Sequence, residues 1–134
     1  MLLIIQPNFK FIETHKGITM LEKKDEIQLG FTTIQHDPRL KFELSNDTYC
    51  VADAIYHLSH NPSSIALGWC YASRQRIANF FGISKRSVQR SIIELANKQL
   101  IEIHKETKYL RTTQIWFDEF VSYSMMKVKE RNTF

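Results

Sequence analysis

Nine Lys and Arg side chains fall between residues 73 and 111, against three Glu. Arg74 and Arg76 come first, then Lys85, Arg86 and Arg90, and Lys105, Lys108 and Arg111 close the segment. An Arg guanidinium is a rigid fork of donors that fits phosphate oxygens or a guanine edge, and Lys is a mobile point charge. Gln89, set among them, can bond an adenine edge bidentately. Ser73, Ser84 and Ser87 add hydroxyls suited to phosphate. The chemistry these residues can do is non-covalent: capture of a polyanion, with discrimination by Arg86, Gln89 and Arg90. The plainer alternative for any one of them is a solvated surface charge, and that is the preferred reading for Lys98.

The charge is concentrated. The chain has 134 residues and a net charge of +4. Residues 73–111 carry +6, residues 1–72 carry −2, and residues 112–134 balance at zero. A local positive excess of this kind is the electrostatic footprint of a nucleic-acid site.

Two short helices must position these side chains. Ser73 is suited to cap the first, and Ile77, Ala78 and Phe81 follow at helical spacing. Gly82 ends it where the backbone needs positive φ. Ser84 caps the second, whose buried stripe is Val88, Ile92 and Leu95. Lys85, Arg86, Gln89 and Arg90 lie off that stripe. Asn97 to Gln99 then turns into an alternating stretch, Leu100 to His104, with a hairpin tip at Glu106-Thr107-Lys108 and a return strand over Leu110 to Phe117.

The run from Ala78 through Gly82, Ile83-Ser84 and Val88 resembles the helix-turn-helix of bacterial DNA-binding proteins. A small residue lets the helices cross, a glycine makes the turn, and Ile83 plugs the core. The hairpin that follows, reached through Ile93-Glu94-Leu95-Ala96-Asn97-Lys98-Gln99-Leu100-Ile101-Glu102, extends the likeness to a winged helix. With Asp37-Pro38-Arg39-Leu40 and Trp69-Cys70-Tyr71-Ala72-Ser73, the pattern over roughly residues 27–117 is similar to the N-terminal winged-helix domains of phage replisome organisers and plasmid replication initiators. The resemblance implies sequence-specific binding of double-stranded DNA, in replication initiation or in transcriptional regulation of a phage or plasmid. The second helix would enter the major groove with Lys85, Arg86, Gln89 and Arg90 towards the bases. Ser73, Ser84, Ser87, Arg74 and Arg76 would meet phosphates, and Lys105, Lys108 and Arg111 would act from the wing. Tyr109, near the tip, is a further contact candidate. The alternative is a non-catalytic protein-interaction module built on the same fold.

The remaining chain adds less. Strands are expected over Leu2–Gln6 and Ile27–Ile34, a charged turn at Lys23 to Glu26, and a turn start at Asp37-Pro38. A helix from Asp47 to about His60, capped by Ser45 or Asn46, should bury Val51, Ala54, Ile55 and Leu58. Ile65 to Tyr71 suits a short strand. A helix over 118–129 would carry Phe120, Val121, Met125 and Val128 on one side. Trp69, Tyr71, Phe80, Phe81, Trp116 and Phe117 are read as core rather than as base-stacking platforms. The fold class expected is α+β: a three-helix core with a β-hairpin wing over 45–117, a short β extension over 1–44, and a helix or tail over 118–134.

Catalysis is not expected, since the chain has no phosphate-binding glycine loop, H-E-x-x-H or nucleophile elbow. Cys50, His57, His60 and Cys70 match no standard zinc spacing, so no metal or cofactor is expected. Two cysteines without a scaffold pattern, no leader-like start and no apolar run near the ~20 residues of a membrane span point to a soluble cytoplasmic protein. A homodimer and contacts with replication proteins are the expected partnerships beyond DNA, with residues 1–26 and 118–134 as candidate partner surfaces.

Overall fold

The structure is a computed structural model that describes residues 9–14, 17–22, 30–62 and 64–131. The fold is α+β, with helices and two separate two-stranded antiparallel hairpins. The first hairpin is β1 (Phe9–Thr14) with β2 (Gly17–Glu22), in a register that pairs Phe9 with Glu22 and Thr14 with Gly17. The expected strand at Leu2–Gln6 and the turn at Lys23 to Glu26 lie outside the described residues.

Residues 30–35 form no strand, which corrects the described part of the expected strand at Ile27–Ile34. Among the described residues, no strand pairs with this segment. Instead Ile34 packs on the core and Gln35 precedes α1 (His36–Lys41). Asp37-Pro38 therefore opens a helix, not a turn. Pro is tolerated in a first turn because the amide it lacks would be unpaired there, and Asp37 suits the positive end of the helix dipole. The chain leaves α1 through Glu43 at φ 55°, and Leu44 N–H donates to the Arg39 carbonyl at 3.0 Å.

Helix α2 (Asn46–Ser59) is the centre of the core. Ser45 caps it, accepting from the Thr48 amide at 3.1 Å. Val51, Ala52 and Ile55 are fully buried, and the helix packs on α4 (Lys85–Asn97) and on β4 (Leu110–Thr112). One polar contact crosses the apolar α2–α4 seam: the Thr48 and Ser91 hydroxyls lie 3.0 Å apart, so neither is left unpaired.

Helix α3 (Arg74–Phe81) ends at Gly82, φ 68°, and α4 begins after Ser84. Ala78 is completely buried between these helices. Val88, Ser91, Ile92 and Leu95 form the buried stripe of α4. Past its end Gln99 takes φ 61°, and Leu100 N–H returns to the Leu95 carbonyl at 2.9 Å.

The second hairpin pairs β3 (Ile101–Ile103) with β4. The stretch Ile65 to Tyr71, expected as a strand, contributes one bridge: Cys70 pairs with Leu110 in antiparallel register. Gly68 at φ 81° and a tight turn from Ala66 to Trp69 bend the rest away. The return strand stops at Thr112 rather than Phe117. Thr113 bonds back to Leu100 and Gln99 and starts α5 (Gln114–Trp116), which passes through a π-helical turn (Phe117–Val121) into α6 (Ser122–Arg131). Trp116 and Phe120 stack at 4.0 Å within the core, a contact that helical spacing supplies and a strand would forbid. The C-terminal helix does not bury a single side: Phe120 is buried and Val121 half-buried, while Met125 and Val128 are exposed.

Candidate nucleic-acid interface

The basic residues are carried by three elements: α3, α4 and the β3–β4 hairpin. Their placement follows from local chemistry. Ser84 Oγ accepts from the Ser87 amide at 3.0 Å and bonds the Ser87 hydroxyl at 2.9 Å, which fixes the first turn of α4. The Lys85 and Arg86 amides then point out of the helix end, as the first amides of any helix do. No acidic residue lies in that first turn. With Val88, Ile92 and Leu95 turned inwards, the helical period puts Arg86 and Arg90 on the opposite face and Lys85 and Gln89 to one side. All four are exposed, and none forms a salt bridge with a described residue. Ile93, 59 % exposed, extends the same outer face.

Helix α3 contributes differently. Ser73 commits its hydroxyl to the Arg76 amide at 3.1 Å, so it positions the helix end. Arg76 is exposed. Arg74 is half-buried and donates to the Lys108 carbonyl at 3.0 Å, tying the start of α3 to the hairpin tip. Burial lowers its guanidinium pKa from the ordinary value. The sequence offers Arg74 as a phosphate contact, whereas in the structure it is also the strut that fixes how hairpin and α3 are spaced.

At the hairpin, Lys105 and Lys108 are exposed near the tip. Lys108 adopts φ 64°, and its amide bonds the His104 carbonyl at 3.0 Å. His104 Nδ1 accepts from the Glu106 and Thr107 amides, both at 3.2 Å, so this ring organises the loop from within. Arg111 is exposed but engaged by neighbours: Nε donates to Glu102 at 2.7 Å, and the guanidinium lies over the Trp69 ring at 4.2 Å. Trp69 meets His104 edge-on at 5.0 Å. Trp69, His104, Glu102 and Arg111 thus brace the hairpin, a role for Trp69 and His104 that the sequence does not announce. The alternation of the strand and the Trp beside the motif are visible in the sequence, but their pairing across some forty residues is not.

Lys98 also does more than the solvated surface charge expected of it. Its ammonium donates to the Phe42 carbonyl at 2.6 Å and the Glu94 carboxylate at 3.0 Å, with the Glu43 carbonyl at 3.3 Å. It fastens the end of α4 to the exit of α1. Of the aromatics read as core, Trp116 is buried, and Trp69, Tyr71 and Phe81 are half-buried. Phe80 and Phe117 are exposed instead, since α3 and the π turn direct them outwards. Tyr109 is half-buried, its ring 6.2 Å from that of Tyr71.

A cleft of about 250 Å³ lies away from this face, between residues 31–35, α2 and the π turn. Asp53 and His57 face each other there at 3.5 Å, and the hydrogen bond that His57 donates to the Asp53 carboxylate raises the His57 pKa. Among the described residues, no group of three or more His, Cys, Asp or Glu side chains could hold a metal ion. No described helix is long and apolar enough to cross a membrane. In comparisons with known proteins, no family model, curated protein or solved structure matches this chain.

Proposed function

We propose that the chain is a winged helix that binds double-stranded DNA sequence-specifically and without catalysis, as a replication initiator or transcriptional regulator of a phage or plasmid. The three helices α2, α3 and α4 are the core of that fold in this reading, and β3–β4 is the wing. One observation carries it: the N-terminal half of α4 presents Lys85, Arg86, Gln89 and Arg90 on an exposed face with no acidic neighbour in its first turn. Helix α4 is then the recognition helix, with Arg86 and Arg90 reading guanine edges and Gln89 an adenine edge. The open amides at the start of α4, together with Arg76, Lys105 and Lys108, hold the phosphates on either side. Ser73, Ser84 and Arg74 act one step back, by fixing the two helix starts and the distance from α3 to the wing.

The test is fluorescence anisotropy on duplexes selected from random DNA, repeated at several salt concentrations. Contact with about four to six phosphates predicts a slope of about −4 to −5 in log K against log salt. A protein that binds only other proteins through this face would show no preference for the selected duplexes over scrambled ones.

A further inference from the structure

Six residues of α4 are exposed, and five of them are polar: Lys85, Arg86, Gln89, Arg90 and Asn97. The sixth is Ile93, an aliphatic side chain that is 59 % exposed and lies outside the buried core. The helical period sets it among the polar residues. Seven residues after Arg86, it points within about 20° of the same direction, with Gln89 about 40° to one flank and Arg90 about 60° to the other. It stands about 6 Å further along the axis than Gln89 and about 4.5 Å further than Arg90, less than two base steps of a duplex. Glu94, the one acid of α4, is paired with Lys98 at 3.0 Å, so no free carboxylate of this helix stands beside Ile93 to repel a polyanion.

We propose that Ile93 is a specificity-determining residue, packing on the C5-methyl group of a thymine next to the bases read by Gln89 and Arg90. This inference rests on the reading of α4 as a DNA-recognition helix and adds a base contact that hydrogen bonding cannot supply. The major-groove edges of guanine, adenine and cytosine present donors and acceptors, and thymine alone adds a methyl group. An aliphatic side chain satisfies none of those polar atoms, and covering them without a partner is unfavourable. Against thymine the contact is apolar on both sides and removes both surfaces from water. Ile is also stiff: in a helix its β-branch leaves one strongly preferred χ1 rotamer, so little freedom is lost when the contact forms. At this position thymine is therefore favoured over cytosine, which has an amino group and no methyl.

The test removes one methyl group at a time. Each thymine of a selected duplex is replaced in turn by deoxyuridine, which keeps base pairing and every hydrogen-bonding edge. Anisotropy titrations of the full chain at matched salt compare wild type with Ile93→Ala. At least one replacement should weaken wild type about fourfold, the worth of one buried methyl group, and leave Ile93→Ala unchanged. Ile93→Ala should keep the thermal unfolding midpoint, since the site is exposed and Ala is the better helix former. A duplex in which no thymine is methyl-sensitive overturns the proposal. So does a loss of equal size in Ile93→Ala, which would come from the DNA alone. In both cases a wild type that still prefers the selected duplex to a scrambled one leaves the recognition-helix reading standing. A wild type that binds both duplexes equally overturns that reading and this contact with it.

Discussion

Charged residues in this chain divide by what they already hold. Arg111 and Lys98 are engaged by partners within the protein, whereas Lys85, Arg86 and Arg90 form no salt bridge with a described residue. Lys98, with three oxygens in reach, should therefore matter to stability. Lys98→Met keeps the aliphatic stem but loses the charge-assisted bonds to Phe42, Glu43 and Glu94, so it should cost about 1–2 kcal/mol in urea unfolding. An unchanged midpoint would mean that α4 needs no tether to α1. Lys108→Ala should leave stability nearly untouched, weaken binding to all duplexes alike and flatten the salt slope by about one. His57 offers a pH test. Its folded pKa is raised above the ordinary ~6.5, so the Asp53 pair contributes fully below about pH 6.5 and is lost as pH rises through the folded value. With the His57 side chain 47 % exposed, the contribution is a few tenths of a kcal/mol. An NMR titration of the His57 ring should give a midpoint above 6.5 that falls in Asp53→Asn. Equal midpoints in the two proteins would refute the pairing.

Among helices and strands, what the sequence reveals depends on the range of the cause. Ser73, Gly82 and Ser84 are readable because a cap or a turn depends on its own few residues, and the bounds of α3 and the start of α4 follow from them. Gly82 sits at φ 68° with open space where a side chain would go, so its requirement is backbone conformation alone. Gly82→Val should destabilise by more than about 1 kcal/mol in thermal unfolding, since a β-branched residue at that φ is strained. Unaltered stability would place the turn elsewhere. The sequence suggests a return strand to Phe117 because Ile115-Trp116-Phe117 has high strand propensity. The partners of Trp116, Phe120 and Tyr49, favour a helix, and only the tertiary fold supplies them. Residues 65–71 mislead for a related reason, as a single bridge at Cys70 leaves no periodicity to detect. The same limit hides the bracing of the hairpin. The basic face of α4 is legible in full, because the buried stripe alone fixes where the rest of a helix points.

Taken together, the parts of the molecule divide their labour. A body of α2, α3, α4 and the second hairpin fixes one basic face, and the C-terminal helix ends in α6 with an apolar stripe exposed. That the outer face of α4 reads duplex DNA can be tested directly. Anisotropy titrations of wild type and the Arg86→Ala, Arg90→Ala double variant should be run on a selected duplex and on a scrambled one, at matched salt. If Arg86 and Arg90 read guanine edges as proposed, truncating each should cost about 1–3 kcal/mol on the selected duplex and relax preference at its base position. The expected result is a double variant that binds the two duplexes with nearly equal, weak affinity. A double variant that binds the selected duplex like wild type would contradict a DNA-reading role for this face.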